Sequence, residues 1–526
     1  MDKRPLAGHL QCVADSDHRG ELKHLGMVLG AFGVLVAVTY AVPQAQAVRP
    51  WVPGEPVPLV HLFSPDRVVV ETKSGEVITR DADLDAPLGV GAPVVVADDG
   101  WTPPPLPVRS PAVPTALLVP PGSLDHWFAR LAEAEDAQPG RVVRALNWGD
   151  STIAGDGIVG TVRTRLQARF GDGGPGFLAV QVDPRWAIRP GVARWPKGDW
   201  ESLTITFGGA ETPRYGLGGT VSTGTNGARS TLGGLEIDGQ RQPLHRFDVH
   251  YQVQPGGGSF SAVPKGAGGV RLGTDSASHG DRFREVLAPD GAEYLWIKTG
   301  TDGPVTLYGV ALETRGPGMT WENLGVAGSG LGSIGRQSQS HLRRQIERRQ
   351  PDLVVYMTGG NELGYETLQQ GAGEKYKAAY VKTFARFREG APDASCLVIT
   401  PLDQATRSRG QVITKPLMAK LERVQREAAH EMGCAWWSAW HAMGGEGSFG
   451  RWLQLDPPLA WTDLMHLTEE GLELIGQSFA DAIEQAYDVW RHEHPDAGYA
   501  GPGPVHGPSL PPAMEEARKK TDGPTP

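Results

Sequence analysis

Short apolar runs in the C-terminal half of the chain alternate with longer stretches of helical period, and this alternation limits the fold more than any other feature. Leu353 to Met357, Cys396 to Thr400 and Cys434 to Trp440 have strand length, while Gly373 to Glu389, Lys415 to Glu431 and Thr468 to Tyr487 carry apolar residues at helical spacing. Strands separated by helices pair parallel in one sheet, with the helices packed on its faces. The same pattern occurs earlier, where Arg141 to Leu146 reads as a strand and Ile158, Val159, Val162, Leu166 and Phe170 mark a helix. Ligands of such sheets bind at the C-terminal ends of the strands, so residues able to do chemistry are sought there.

Ser151 stands at one of these ends, in Leu146-Asn147-Trp148-Gly149-Asp150-Ser151. A strand-to-helix junction exposes the hydroxyl and turns free backbone N–H groups toward developing negative charge. Gly-Asp-Ser alone also fits a turn or a helix cap. Serine is a poor nucleophile at neutral pH unless an imidazole takes its proton and a third group orients the ring. Asp463-Leu464-Met465-His466, just before the last helix, offers such a pair; singly, Asp463 also fits a helix cap and His466 a loop histidine. Oxyanion donors are available in two places. Asn323-Leu324-Gly325-Val326-Ala327-Gly328-Ser329-Gly330 is a glycine-rich loop that lets a backbone N–H approach a substrate oxygen, and Thr358-Gly359-Gly360-Asn361-Glu362 presents a side-chain amide after an apolar strand.

In this order, Gly-Asp-Ser, Asn-x-Gly-x-x-Gly, Gly-Gly-Asn and Asp-x-x-His resemble the four sequence blocks of the SGNH hydrolases, or GDSL esterases. The resemblance implies Ser151 as nucleophile, His466 as general base and Asp463 as its orienting carboxylate. It implies an oxyanion hole formed by the backbone N–H groups of Ser151 and Gly328 and the Asn361 amide. It also implies a three-layer α/β/α fold with a mostly parallel sheet. Glu362 departs from the pattern, since the family commonly has aspartate after the asparagine, and contacts that depend on the shorter acid are in question.

The distance between Ser151 and the Asn323 loop exceeds what such a fold needs. From about Trp195 to Arg315 short alternating runs, at Ser202 to Phe207, Gly234 to Ile237, His245 to Gln252, Glu293 to Lys298 and Val305 to Leu312, are separated by Gly, Pro and Asp turns. This is the pattern of an inserted β-sandwich or jelly roll. The expected organisation is a signal peptide or anchor at 1–47, proline-rich linkers with a small β unit at 48–122, the hydrolase at 123–194 and 316–493, the β insertion at 195–315, and a disordered tail at 494–526. Gly149 to Asp156, Arg169 to Phe177 and Met443-Gly444-Gly445 narrow the resemblance to the bacterial peptidoglycan O-acetylesterases, which also interrupt the hydrolase with a carbohydrate-binding-like β module.

Leu25 to Val42 is uncharged and largely apolar, and Ala45-Gln46-Ala47 has the form of a signal-peptidase site, so export is expected. The mature chain would then begin near Val48, unless residues 25–42 are retained as an inner-membrane anchor. The net charge of −10 argues against a nucleic-acid partner. Arg343, Arg344, Arg348 and Arg349, on the helical stretch from Gln337, read as a solvated face. Cys396 and Cys434 begin neighbouring strands and could pair in an oxidising compartment, though both also fit as free buried thiols, the reading preferred here. No His and carboxylate cluster has metal-ligand spacing, so neither metal nor cofactor is expected. These readings converge on an exported serine esterase that removes O-acetyl groups from a cell-envelope glycan, most consistent with peptidoglycan. The alternatives are an O-acetyltransferase acting on an envelope polysaccharide and a non-catalytic glycan-binding envelope protein.

Overall fold

The computed structural model describes residues 101–137, 141–182, 189–206 and 214–497. The expected leader and anchor, the small β unit and most of the tail lie outside the described residues. Among the described residues no helix is long and apolar enough to cross a membrane.

The parallel sheet runs in the order Met319–Gly325, Val143–Gly149, Leu353–Met357, Ser395–Thr400, Ala435–Ser438, and every neighbouring pair is parallel. Strand period explains its two apolar faces. Val143, Ala145, Leu353, Val355, Leu397 and Ile399 pack with helices Asp125–Glu135, Gly157–Phe170 and Glu469–Glu493. The alternate residues Leu146, Trp148, Val354, Tyr356 and Val398 pack with Gln339–Arg349, Glu374–Arg388 and Met418–Glu431. Gly149 is paired with both Gly325 and Met357, so three strands end flush and their loops emerge at one edge.

Several expectations change. Trp101 to Pro120 is docked rather than a loose linker: Leu118 and Trp436 exchange backbone hydrogen bonds at 3.0 Å, and Trp437 Nε1 donates to the Thr115 carbonyl at 2.9 Å. Prolines cannot donate to a ladder but are tolerated where only one side needs pairing, as along this sheet edge. Helix Asp125–Glu135 starts after Leu124, and Ser123 does not cap it. The cysteines are not free thiols. The pairing of Leu397 with Ala435 sets Cys396 directly opposite Cys434, with Cα atoms 4.9 Å apart, and the two form a disulfide.

Between Phe170 and Met319 the chain builds two antiparallel sheets. One has the order Gly280–Ala292, Leu244–Val253, Val305–Glu313, Thr220–Gly224, Trp200–Thr204; the other has Val270–Gly273, Ser259–Pro264, Tyr294–Thr299, Arg229–Gly233, Arg194–Lys197. Leu244, Phe247, Val249, Phe260, Leu295, Ile297 and Leu307 share the core between them. Gly176–Leu178 pairs with Val305–Glu313, so the β module starts before Trp195.

The module is joined to the hydrolase by buried charge. Glu313, on its strand Val305–Glu313, accepts from Arg144 at 2.6 Å, from Arg349 at 2.5 Å and from Arg246 at 2.8 Å, and Arg349 also donates to Glu322. Burial opposes the ionisation of Glu313, yet the guanidinium groups of Arg349 and Arg144 outweigh it and hold the carboxyl well below its usual range. The expected solvated face holds for Arg343 and Arg344, which are exposed, but not for the rest of the run: Arg349 is buried, and Arg348 pairs with Asp248 at 2.8 Å.

Candidate active site

Gly149 ends the strand Val143–Gly149 with no room for a side chain, because a Cβ there would lie 2.3 Å from Ile153 Cγ1 and 2.7 Å from the Met357 carbonyl oxygen. The chain can therefore turn at once. Asp150 is buried and its carboxylate accepts from the Thr152 N–H at 3.0 Å, capping the one-turn helix Ser151–Ala154. Burial pushes the Asp150 carboxyl up, against its hydrogen bonds from Thr152 and Gly359. Ser151 opens the helix, where backbone N–H groups have no intrahelical acceptor.

Ser151 Oγ lies 3.0 Å from His466 Nε2, and His466 Nδ1 lies 2.7 Å from Asp463 Oδ2. The loop that carries the pair turns through Leu464 in the left-handed region, at φ 63°. That turn lets Asp463 Oδ1 accept from the N–H groups of Met465 and His466, at 2.9 and 3.1 Å. Partial burial disfavours the Asp463 carboxylate, but the hydrogen bonds from His466 and the two backbone donors prevail and lower its pKa. The tautomer whose Nδ1–H donates to Asp463 is the one that offers Nε2 to Ser151 as an acceptor. Sequence reasoning named all three residues, and the fold brings them together across the flush strand ends.

The glycine-rich loop is tied to the serine turn from several sides. The Asn323 amide donates to the Ile153 carbonyl at 2.7 Å and to Asp156 at 2.9 Å. Ser329 Oγ and the Val326 N–H both donate to the Gly149 carbonyl, at 2.8 and 2.9 Å. Gly328 sits at φ 74°, a conformation that favours glycine. Asn361 Nδ2 donates one hydrogen to the Ser329 carbonyl at 2.9 Å, which fixes the amide and leaves its second hydrogen for another acceptor. Asn361, Gly328 and Ser151 are thus linked through Ser329, which sequence reasoning did not single out.

Glu362 resolves the question raised by its extra methylene. Its longer side chain reaches the loop itself, accepting from the Leu331 N–H at 2.8 Å, from Thr358 Oγ1 at 3.2 Å and from the Tyr376 hydroxyl. Burial pushes its carboxyl up to about 7 despite these donors. A raised folded-state pKa means that the folded protein holds the proton more tightly, so the stabilisation is full below about 4.5 and is lost as pH rises through about 7. Stability should fall across that window, by on the order of 3 kcal/mol at most. Glu362→Gln, which stays neutral, should flatten the fall; urea titrations of both proteins at several pH values check this, and parallel profiles would count against the assignment.

The base and its carboxylate are partly open to solvent. Side chains of His466 and Asp463 are 40% and 48% exposed, so the pair acts in a solvated setting where orientation outweighs raw Coulomb attraction. A cavity of about 720 Å³ lies between helices Gly157–Phe170 and Glu469–Glu493 and the Leu235–Ile237 segment, but Ser151, Asn361 and His466 do not line it.

Residues 287–474 match the GDSL-like lipase/acylhydrolase family. The match begins within the β module, inside the strand Gly280–Ala292, takes in the glycine-rich loop, Asn361, Asp463 and His466, and does not reach Ser151. Among solved structures, a peptidoglycan O-acetylesterase is similar over 70% of this chain and 97% of its own, at 21% identity and a TM-score of 0.59. A family two carbohydrate esterase from Cellvibrio japonicus (10% identity, 56% of this chain and 100% of that one, TM-score 0.22) also matches. So does the acetylxylan esterase Axe2 from Geobacillus stearothermophilus (19%, 32% and 73%, TM-score 0.23). These last two overlays are too partial to bear on the fold. No curated protein matches the chain.

Proposed function

We propose that this chain, whose residues 287–474 match the GDSL-like lipase/acylhydrolase family and whose fold is similar to that of a peptidoglycan O-acetylesterase, is an SGNH hydrolase and an exported serine esterase removing O-acetyl groups from a cell-envelope glycan, with peptidoglycan as substrate. The observation that carries the reading is the unbroken hydrogen-bonded chain from Ser151 through His466 to Asp463.

In the proposed reaction His466 Nε2 takes the Ser151 proton as Oγ attacks the acetyl carbonyl carbon. The carbonyl oxygen becomes an oxyanion held by the N–H groups of Ser151 and Gly328 and by the free hydrogen of the Asn361 amide. Collapse breaks the bond to the sugar oxygen, which leaves with the proton from His466. Water, deprotonated by the same imidazole, then attacks the acetyl-serine; acetate departs and Ser151 regains its proton. Asp463 holds the ring tautomer throughout and stabilises the imidazolium.

Two features favour this reading over its neighbours. An acyl-serine beside solvated His466 and Asp463 stands open to water, which favours hydrolysis over transfer. The exposure of the base and its carboxylate suits an ester displayed along a polymer. Export agrees with the Cys396–Cys434 disulfide, a bond that persists in oxidising compartments. The purified protein is expected to release acetate from O-acetylated peptidoglycan and none from the same material after alkaline de-O-acetylation. Movement of the acetyl group to an added acceptor glycan, with little free acetate, would favour the transferase; neither release nor transfer would sink the proposal.

A further inference from the structure

Directly opposed residues in an antiparallel ladder project from the same face of the sheet. In the sheet that contains Tyr294–Thr299, Arg271 lies opposite Ser261, Ser261 opposite Lys298, Lys298 opposite Arg229, and Arg229 opposite Lys197. Beside this row runs a second, in which Val263 lies opposite Trp296, Trp296 opposite Thr231, and Thr231 opposite Trp195. The intervening residues Phe260, Ala262, Leu232, Leu295 and Ile297 fill the core of the module, so both rows face outward. One strip of cations and one of aromatic rings therefore cross the sheet side by side.

Neither strip is accounted for by packing. Trp195 and Trp296 are 52% and 46% exposed, a costly disposition for two large apolar rings on one face. Among the described residues Lys197, Arg229 and Lys298 form no ion pair. The patch continues past Trp195, where the Tyr294 ring centroid is 5.5 Å away and the Arg241 guanidinium lies 5.4 Å from the Trp195 ring. Among the described residues, three carboxylates meet the cations at its edges: Glu236 pairs with Arg241, Glu293 with Lys265, and Asp302 lies near Arg271. On a chain of net charge −10, this face carries a local field of the opposite sign.

We infer that this outer sheet face is a binding platform for an anionic glycan strand, one whose linked pyranose rings carry carboxylates. The inference rests on the proposed action on an envelope glycan and deepens it, while using none of the residues of the acyl chemistry. The apolar face of a pyranose ring packs flat on an indole. Trp195 and Trp296, two strands apart, are separated by about 10 Å, a span that two linked sugar rings bridge. The adjacent cation row then meets charges repeated along the strand, and each contact is screened by salt.

Binding to purified, de-O-acetylated sacculi tests the platform, measured by co-sedimentation of the full-length protein and of the double variants Trp195→Ala/Trp296→Ala and Arg229→Glu/Lys298→Glu. Each is expected to weaken binding about tenfold or more. Amidating the sacculus carboxylates should reproduce the loss seen with the charge variant. Turnover of a soluble aryl acetate should stay within about twofold, since the substitutions are on the exposed face of the β module and touch none of the hydrogen bonds that join Ser151, His466 and Asp463. Undiminished sacculus binding by both variants would overturn the inference, as would stronger binding to duplex DNA or to phosphatidylglycerol vesicles than to sacculi. Because the sacculi carry no ester, absent acetate release refutes the esterase reading alone, and unchanged binding refutes the platform alone.

Discussion

Ser151→Ala and His466→Ala are each expected to lower ester hydrolysis about 10⁴-fold or more, with the double variant little worse than either single one. The near-equality follows from the geometry: with Oγ 3.0 Å from Nε2, the hydroxyl without its base is unactivated, and the base without the hydroxyl has nothing to deprotonate. Asn361→Ala should cost about 10²- to 10³-fold, because it deletes one donor to the oxyanion while the nucleophile stays intact. Steady-state rates on an aryl acetate measure all three. Circular dichroism and melting curves close to wild type would show that the losses are chemical. Wild-type turnover by Ser151→Ala would be incompatible with the mechanism.

The second large effect is on stability. Arg349→Met is expected to destabilise the fold by about 3–5 kcal/mol, since it leaves Glu322 and part of Glu313 buried without their guanidinium partner. The loss should appear in one cooperative transition, because the same carboxylate links the β module to the hydrolase. Guanidinium titration followed by tryptophan fluorescence reads it, Trp148 being within reach of both parts through its hydrogen bond to the Leu217 carbonyl at 2.8 Å. A change below about 1 kcal/mol would show the network to be dispensable.

Strand and helix periods made four of the five strands of the parallel sheet legible, whereas the fifth, Met319–Gly325, carries Thr320, Glu322 and Asn323 and is revealed only by its pairing with Val143–Gly149. Ser151, Asp463, His466, Gly328 and Asn361 were legible because their spacing follows the four-block pattern. What stayed hidden depended on partners distant in sequence. Arg349 looks like any helix-surface arginine until the strand Val305–Glu313 brings Glu313 to it. Ser329 shows no signal of its own, since its role is to join the Gly149 carbonyl to the Asn361 amide. Glu362 was visible only as a departure from a pattern, and its use appears when Leu331 and Tyr376 fold around it. Cys396 and Cys434 could be assigned neighbouring strands, but only the register sets one opposite the other.

The most direct test of the account is to trap the acyl-enzyme. Rapid acid quenching of the reaction with O-acetylated peptidoglycan fragments, followed by peptide mass mapping, should place a transient acetyl group on Ser151 that decays as acetate appears. In His466→Ala the Ser151 acetyl should not form on the same timescale. Acetate release at the wild-type rate with Ser151 never acetylated, or acetylation at another residue, would contradict the account.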